Sequence, residues 1–384
     1  MVIQDKKIAI VGGGPGGLTL ARILQMHGAD VKVYERDVNK DVRVQGATLD
    51  LHDESGLLAL HQAGLMDAFK ANYRPGAEKI RVLDQYAKVL YDEHTTTGSE
   101  IPGAAILRPE IDRGPLRQLL LESLQPETVV WNSQFYAMSP TDSGWKLEFK
   151  NGSSALADIV IAADGANSKI RPLITAVQPF YSGVTIVEGT VYDAENAAPA
   201  IYDLLKGGKL FAFGDSKSLI VSSKGDGSIT FYTGCNAEET WISGCGIDFS
   251  DKAQVHAWFR EEFTDWSNTW DELFESEQVH FVTRPQYCMP LDQTWEAHPN
   301  LTMLGDAAHL MPPYAGEGVN MAMLDALELS ECLLSDEHAD TRSAIAAYET
   351  RMRARAAEVG RITLEQTAAL HGPGAISHML QVFS

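Results

Sequence analysis

Apolar runs separated by glycines and polar turns predict the first elements of the chain. Residues 8–11 are all apolar, which is typical of a buried strand in a parallel sheet. Apolar residues then recur at helical spacing over 20–27, and an alternating pattern at 31–34 predicts a second strand. Residues 7–35 therefore predict a strand–helix–strand unit of the kind found in α/β proteins.

A different pattern occupies the middle of the chain. Short segments rich in β-branched and aromatic residues predict strands at 184–192, 209–213, 219–223 and 229–233. The segment 224–228, Lys-Gly-Asp-Gly-Ser, predicts a hairpin between the last two. This region is expected to form an antiparallel sheet inserted between pieces of the parallel α/β part.

Two helical patterns lie beyond these strands. Residues 254–275 predict one helix with an aromatic stripe that belongs in a core, and 341–370 predict a long helix packed across both parts of the protein. The stripe consists of Phe259, Phe263, Trp266, Trp270 and Leu273.

Composition narrows the class of protein. The 384 residues are 45% hydrophobic and carry a formal net charge of −21, which argues against nucleic acid and anionic membrane as partners. The four cysteines form no C-x-x-C pair, so neither a disulfide framework nor a thiolate zinc site is expected. No apolar stretch approaches the roughly 20 residues of a membrane span, and the first residues do not resemble a signal peptide. A cytoplasmic, multi-domain enzyme is the expected class.

The glycine-rich turn after the first strand predicts a dinucleotide site. Gly12, Gly14 and Gly17 form G-x-G-x-x-G, in which small residues permit a tight turn, close approach of a pyrophosphate and close packing of helix on strand. Glu35 ends the second strand and is placed to accept hydrogen bonds from a ribose. Since a carboxylate there would repel a 2′-phosphate, the resident nucleotide is expected to be FAD or NAD rather than NADP.

A second motif follows the predicted strand at 159–162. Asp164 and Arg171 belong to a D-G-x-x-S-x-x-R spacing directly after this strand. Two interpretations are open for them: a contact near a cofactor, or a structural ion pair at the strand end.

A third motif follows the predicted strand at 301–304. Asp306 at the carboxyl end of the strand can accept hydrogen bonds from polyol hydroxyls, and Gly316 and Gly318 before a helix let the backbone approach a flat ring. His309 is expected to cap a loop or pack in a turn rather than to be catalytic.

These three motifs, in this order, resemble the class A FAD-dependent aromatic hydroxylases typified by p-hydroxybenzoate hydroxylase. Within that family the segments 48–52, 108–113 and 305–313 look most like those of the tetracycline-inactivating flavin monooxygenases. The resemblance covers nearly the whole chain.

The predicted fold is α/β, with a Rossmann-like FAD-binding domain, an inserted antiparallel-sheet substrate domain and a long C-terminal helix. The FAD-binding domain is expected to be discontinuous, and the third part to bridge the other two. The predicted ranges are 1–72, 100–174 and 282–338 for the FAD-binding domain, 73–99 and 175–281 for the substrate domain, and 339–384 for the bridging helix.

The resemblance implies site residues for both ligands. It implies FAD contacts with the adenosine ribose, pyrophosphate, ribityl chain and isoalloxazine ring at Gly12, Gly14, Gly17, Glu35, Arg36, Arg113, Asp164, Asp306, Pro312, Gly316, Gly318, Val319 and Asn320. The residues expected near a substrate are Glu188, Lys209, Phe211, Thr230, Tyr232 and Pro313.

Three of those substrate positions differ from the tetracycline enzymes. Glu188, Lys209 and Thr230 stand where those enzymes carry glutamine, arginine and histidine, and Glu317 replaces a glutamine beside the flavin. A lysine point charge does not reproduce an arginine fork. Tetracycline and another polycyclic or phenolic compound therefore both stay open as substrates.

The implied reaction is monooxygenation. NADPH or NADH, bound transiently, would reduce tightly bound FAD, and a flavin hydroperoxide formed with O₂ would oxidise an electron-rich phenol or enol, so no catalytic side chain and no metal are expected. No second G-x-G-x-x-G follows a strand, which argues against a separate nicotinamide domain. The alternatives are a hydroxylase of another aromatic polyketide or simple phenol, an NAD-dependent dehydrogenase, and a non-catalytic flavoprotein. A monomer is expected.

Overall fold

The computed structural model describes residues 1–42, 47–95 and 108–383. Its strands are β1 (Lys7–Val11), β2 (Asp30–Tyr34), β3 (Leu49–Asp50), β4 (Ile80–Asp84), β5 (Val89–Asp92), β6 (Glu110–Ile111), β7 (Val129–Val130), β8 (Phe135–Pro140), β9 (Trp145–Phe149), β10 (Ser154–Ala157), β11 (Ile159–Ala162), β12 (Phe180–Val191), β13 (Lys209–Gly214), β14 (Lys217–Ser223), β15 (Ile229–Asn236), β16 (Val279–Cys288) and β17 (Leu301–Met303).

The α-helices are α1 (Pro15–Met26), α2 (Gly56–Gln62), α3 (Met66–Asn72), α4 (Arg113–Glu122), α5 (Ala194–Ala197), α6 (Pro199–Leu205), α7 (Trp241–Gly244), α8 (Lys252–Glu262), α9 (Glu272–Glu275), α10 (Asp306–His309), α11 (Gly318–Leu334), α12 (Thr341–Leu370) and α13 (Ala375–Val382). Single 3₁₀ turns lie at Arg171–Leu173, Asn268–Asp271 and Pro313–Ala315.

A parallel sheet of strand order β17-β11-β1-β2-β7 forms the centre of the α/β part. β1 lies in the middle because its residues 8–11 are apolar and buried on both faces. α1 packs against α11 beside this sheet, and both helices contribute to one large core with β1 and β11. The Rossmann-like α/β arrangement predicted from the sequence is confirmed. A small antiparallel sheet of β8, β9 and β10, which the patterns did not predict, lies alongside.

The inserted sheet has seven strands in the order β16-β12-β15-β14-β13-β4-β5. The four strands predicted in this region are present, and the predicted hairpin closes through a bond from the Lys224 amide to the Ser228 carbonyl, 2.9 Å. The sheet is antiparallel apart from the parallel pair β13–β4. β16 continues to Cys288, so the predicted domain boundary at 282 falls inside a strand; the boundary at 99–100 lies outside the described residues.

The single helix predicted over 254–275 is wrong, although its aromatic stripe is core. α8 ends at Glu262, and α9 begins only at Glu272 after a 3₁₀ turn that the Ser267 hydroxyl caps. The break lets the two helices fold back, so that Phe259 stacks on Phe274 with ring centroids 4.1 Å apart. Both rings belong to the core cluster of the inserted part, where stacked aromatic pairs stabilise the packing beyond the area they bury.

The tail forms the predicted long helix and then a second one. α12 begins with a capping box at Asp340 and Ser343, and it packs against α11. The chain then turns at residues 371–374, and α13 packs on β4 and β13 of the seven-stranded sheet. The tail thus contacts both the α/β part, through α11, and the seven-stranded sheet. Among the described residues, no helix is both long and apolar enough to span a bilayer.

Candidate active site

A cavity of about 1030 Å³ extends from the glycine-rich turn after β1 to one face of the seven-stranded sheet. Most residues predicted for the two ligands line it: Gly12, Gly14, Gly17, Glu35, Arg36, Arg113, Asp164, Asp306, Pro312, Gly316, Gly318 and Val319, and on the substrate side Lys209, Phe211, Tyr232 and Pro313. Asn320, Glu188 and Thr230 are not among the lining residues.

The glycine turn is built so that the backbone itself forms the cavity wall. Gly12 has φ +115°, and a Cβ there would lie 2.1 Å from the Ala163 carbonyl oxygen. A Cβ on Gly17 would lie 2.3 Å from the Gly12 carbonyl oxygen, whereas one on Gly14 would meet nothing within 4 Å. Gly12 and Gly17 thus permit the turn and the packing of α1, and Gly14 leaves space for a phosphate at the helix N-terminus.

Glu35 lies buried at the end of β2 against this turn. Its carboxylate accepts hydrogen bonds from the Gly13 amide at 2.7 Å and from the Asp37 amide at 3.0 Å. Arg117, which the sequence analysis missed, is also buried here and donates to the Lys40 carbonyl at 2.9 Å and the Asp37 carboxylate at 3.1 Å. Arg117 lies one helical turn after Arg113 on α4, so helical spacing was a usable signal.

Asp164 and Arg171 do not form a direct salt bridge within the described residues. Asp164 accepts a hydrogen bond from the Lys169 amide at 2.8 Å, and its Oδ1 is buried without a partner. Burial raises the pKa of this carboxyl. Arg171 instead donates to the backbone carbonyls of Asp306 at 2.9 Å and Ala307 at 2.6 Å. Arg171 therefore fixes the turn that carries Asp306, and Asp164 keeps a free acceptor at the cavity wall.

Asp306 is supported from beneath by a buried charged network. Its own carboxylate is exposed to the cavity and accepts no hydrogen bond from the described residues, and desolvation by the surrounding protein raises its pKa. His309 points away and bonds Asp325 at 2.6 Å, and Asp325 also accepts from the Gly305 amide at 2.8 Å and from Arg355 at 2.7 Å. Burial alone would lower the pKa of His309, but the Asp325 carboxylate raises it overall. This geometry fits the expectation that His309 packs in the turn.

The loop before α11 forms the next part of the wall. Gly316 has φ +72°, and a Cβ there would lie 3.4 Å from the Asp50 carboxylate, while one on Gly318 would meet nothing within 4 Å. Asn320 uses its side chain inside the protein: it accepts from the His52 amide at 3.0 Å and donates to the Asp50 carbonyl at 2.9 Å. It thereby fastens segment 50–52 to the loop.

His52 lies between two carboxylates behind that loop. Its ring nitrogens are 3.3 Å from Asp50 and 3.4 Å from Glu317. Burial would lower the pKa of His52, but the two carboxylates outweigh it and raise the pKa to about 9. The imidazole is therefore a cation at neutral pH, and it links the loop to β3.

The seven-stranded sheet supplies a wall that is largely apolar. Lys209 forms an ion pair with the buried carboxylate of Glu110 on β6. Glu188 is paired with Arg284 on β16, and the buried Thr230 hydroxyl has no hydrogen-bond partner in the part of the chain that the structure describes. The other lining residues of this sheet are Ile80, Ile186, Phe211, Ile220, Ser222 and Tyr232.

The C-terminal helices complete the cavity, although the sequence predicted only a structural role for them. α12, α13 and the residue after α13 contribute Ile362, Gln366, Leu370, Met379, Val382 and Phe383 to the lining. No local pattern could have indicated this, because the contact is made only when α13 docks on β4 and β13.

The charges and the shape of this site fit a flavin dinucleotide. The open space at Gly14 suits a pyrophosphate, and the unpartnered acceptors of Asp164 and Asp306 suit hydroxyl groups of a ligand. A resident metal is not indicated, since no cluster of three His, Cys, Asp or Glu side chains in 1–42, 47–95 and 108–383 could hold one.

Comparison with known proteins agrees with this geometry. The family model described as FAD binding domain matches residues 5–363. The chain belongs to this family, and within it to the class A flavin monooxygenases, with FAD as cofactor.

Three similar proteins are informative. Monooxygenase asqM of Emericella nidulans is 32% identical over 379 residues, which is 85% of this chain and 84% of that protein. HpxO of Klebsiella pneumoniae, solved with FAD and uric acid, has a TM-score of 0.76 at 21% identity and covers 99% of this chain and 92% of its own. The tetracycline destructase Tet(51) has a TM-score of 0.67 at 18% identity, with 98% and 96% covered. The predicted resemblance and the enzyme class are confirmed; the last two likenesses concern the fold.

Proposed function

We propose that the enzyme uses NADPH or NADH and O₂ to insert one oxygen atom into an electron-rich aromatic or enolic small molecule. The observation that carries this proposal is the continuity of the cavity from Gly14 and Asp306 to the sheet face at Phe211. A cofactor bound at the first end would have its ring beside a substrate held at the second.

The residues at the cofactor end have separate roles in this proposal. Glu35, with Arg36 beside it, binds the adenosine ribose, and the Gly12–Gly17 turn with Arg113 binds the pyrophosphate. Asp306 accepts hydrogen bonds from the ribityl chain, and the backbone of the 312–320 loop binds the pyrimidine edge of the ring. FAD supplies electron transfer and activation of O₂.

The chain's own contribution to the chemistry is placement and exclusion of water. The far wall combines apolar side chains of the sheet, such as Ile186 and Ile220, with Leu370 and Met379 of the C-terminal helices. A cavity wall that excludes water protects a reactive oxygen species and strengthens each hydrogen bond made to the substrate. NAD(P)H reaches the ring transiently, on the side of Asp164.

The test is oxygenation by the FAD-loaded protein. NADPH and NADH consumption is followed with tetracycline, naphthols and simple phenols under ¹⁸O₂, and product masses are measured. We expect substrate-stimulated consumption and a product that carries one labelled oxygen atom. The variant Asp306→Asn is assayed beside the wild-type protein. Asp265→Asn serves as its surface control, because Asp265 is exposed and lies outside the lining residues.

Each competing function has its own outcome in this experiment. A purified protein that stays colourless and does not retain added FAD contradicts the proposal. A yellow protein that oxygenates nothing in the panel, and whose NAD(P)H consumption no ligand stimulates, favours a non-catalytic flavoprotein. Among positive results, the tetracycline arm separates antibiotic inactivation from hydroxylation of another phenol.

A further inference from the structure

Among the described residues, Lys209 is the only charged side chain that the seven-stranded sheet contributes to the cavity lining. Lys209 and Phe211 lie two residues apart on β13 and therefore on the same face of the sheet. Their cross-strand partners on β14 are Ser222 and Ile220, which also line the cavity. A lysine set among apolar side chains is a place where a polar group of a ligand can be recognised.

The lysine is held by a buried carboxylate from a distant segment. Glu110 on β6 is 1% exposed, and its Oε1 forms the ion pair with Lys209. Neither Glu110 Oε2 nor the nearby Thr48 hydroxyl has a hydrogen-bond partner among residues 1–42, 47–95 and 108–383. Burial raises the pKa of the Glu110 carboxyl, and the Lys209 ammonium opposes this rise. The only hydrogen bond of the Lys209 side chain within the described residues is to Glu110.

The charges around the Lys209 ammonium group limit which ligand groups can bind to it. An ammonium group has three donors, and one is used by Glu110, so donors are left for a ligand oxygen. Its positive charge, however, is already balanced by Glu110, and Asp50 adds a second carboxylate close enough to affect both partners. The charge of Asp50 is itself balanced by the His52 cation, so a ligand carboxylate brought to Lys209 would find no net positive charge there and would meet the like charge of Glu110 in a poorly solvated place.

We propose, resting on the function proposed above, that Lys209 donates a hydrogen bond to a carbonyl, hydroxyl or ether oxygen of an uncharged aromatic substrate, and that Glu110 excludes aromatic carboxylates by cancelling the charge of Lys209. Lys209 is the substrate-binding residue in this arrangement. Glu110 is a positioning residue, since it acts through Lys209.

The test compares pairs of probes in which a carboxylate is replaced by its methyl ester, so that the charge is removed and one methyl group is added. Methyl 4-hydroxybenzoate is paired with 4-hydroxybenzoate, and methyl 6-hydroxy-2-naphthoate with its free acid. Dissociation constants are measured on the FAD-loaded protein from the change in flavin absorbance. We expect the wild-type protein to bind each ester at least about tenfold more tightly than the matching acid.

Replacement of the buried carboxylate should invert that preference. Glu110→Gln keeps the size of the side chain but leaves Lys209 with an unbalanced charge, so acid binding should improve about tenfold while ester binding weakens a few-fold. The double variant Glu110→Gln/Lys209→Met removes both charges without leaving one unpaired, and it should weaken ester binding with no gain for the acid. A merely structural tie between β6 and β13 would lower both affinities in parallel.

A matched control removes another ion-paired glutamate. Glu148→Gln breaks a pair with Lys146 of 2.7 Å on β9, outside the lining residues, and the ester-to-acid ratio should not change. The inference is overturned if neither ester binds, if wild type binds the acids as tightly as the esters, or if Glu110→Gln shifts both probes together. Oxygenation of an acid by the wild-type protein with a kcat/KM as high as that of its ester would overturn it too, and would leave the proposed function standing. Selective ester binding without oxygenation of any compound would contradict the proposed function and leave the inference about Lys209 and Glu110 standing.

Discussion

The cofactor end of the cavity is made mainly of backbone, whereas the substrate end is made of side chains. At the first end, Gly12, Gly14 and Gly316 expose the main chain; the first two lie within three residues of β1, and Gly316 lies two residues before α11. At the second end, Lys209 and Gln366 come from elements far apart in the chain. A backbone surface recognises groups that every FAD carries, while side chains can be exchanged without loss of the fold, so the two ends are expected to respond to mutation in different ways.

The sharpest test of the backbone end is Gly12→Ala. A methyl group at φ +115° and 2.1 Å from the Ala163 carbonyl should cost roughly 4 kcal/mol of folding free energy and abolish FAD retention. Gly28→Ala is the control, since Gly28 also has a positive φ of +80° but has open space around its Cβ. It should cost about 1 kcal/mol, measured by urea unfolding, with FAD retained. Equal losses in both variants would mean that strain, not the close approach, explains the effect.

A second prediction concerns pH and the network behind the flavin loop. The pKa of His52 is raised from 6.5 to about 9, so protonation of its folded state stabilises the protein fully below pH 6.5. This contribution is lost as the pH rises from 6.5 to 9 and amounts to at most about 3 kcal/mol. In urea unfolding across this range, wild type should lose more stability than His52→Gln. Parallel curves for the two proteins would contradict the assignment.

Much of the cofactor end could be predicted from the sequence because its signals are local. The turn at Gly12 follows an apolar strand directly, and Asp306 follows another, so short patterns were enough to place both. Arg117 and Asp325 were missed because their partners, Asp37 and Arg355, are distant in sequence. The break in the 254–275 helix could not be anticipated, since it depends on aromatic stacking across the turn.

The substrate end of the cavity was harder to predict from the sequence, because its contacts join distant segments of the chain. Its strands were predicted, but Lys209 finds Glu110 at a separation of 99 positions, and α13 reaches the cavity only through tertiary packing. Propensity and periodicity report which face of a strand is buried, not which side chains from other elements meet it.

Asp306→Asn tests a carboxylate that borders the cavity at its cofactor end and accepts no hydrogen bond from the described residues. The substitution keeps the shape but removes a charged acceptor, so FAD affinity should fall by about 2 kcal/mol, or roughly thirtyfold. Fluorescence titration of the apoprotein with FAD measures this, with circular dichroism to verify the fold. Unchanged affinity would show that Asp306 does not hold the cofactor, and would leave the backbone of the 312–318 loop as the main anchor.

The smallest expected effect concerns Glu188, for which the sequence and the structure lead to different expectations. As a substrate contact, Glu188 would be needed for binding, but the structure pairs it with the half-exposed Arg284 and leaves it outside the lining residues. Glu188→Gln should therefore cost under about 1 kcal/mol of folding free energy and leave substrate affinity within about twofold. Phe211→Ala, which removes a lining ring from the same sheet, should lower substrate affinity about tenfold with FAD affinity unchanged. If Glu188→Gln instead matches Phe211→Ala, the cavity must extend along β12 towards β16 when substrate is bound, and the sequence-based expectation is the better guide at that strand.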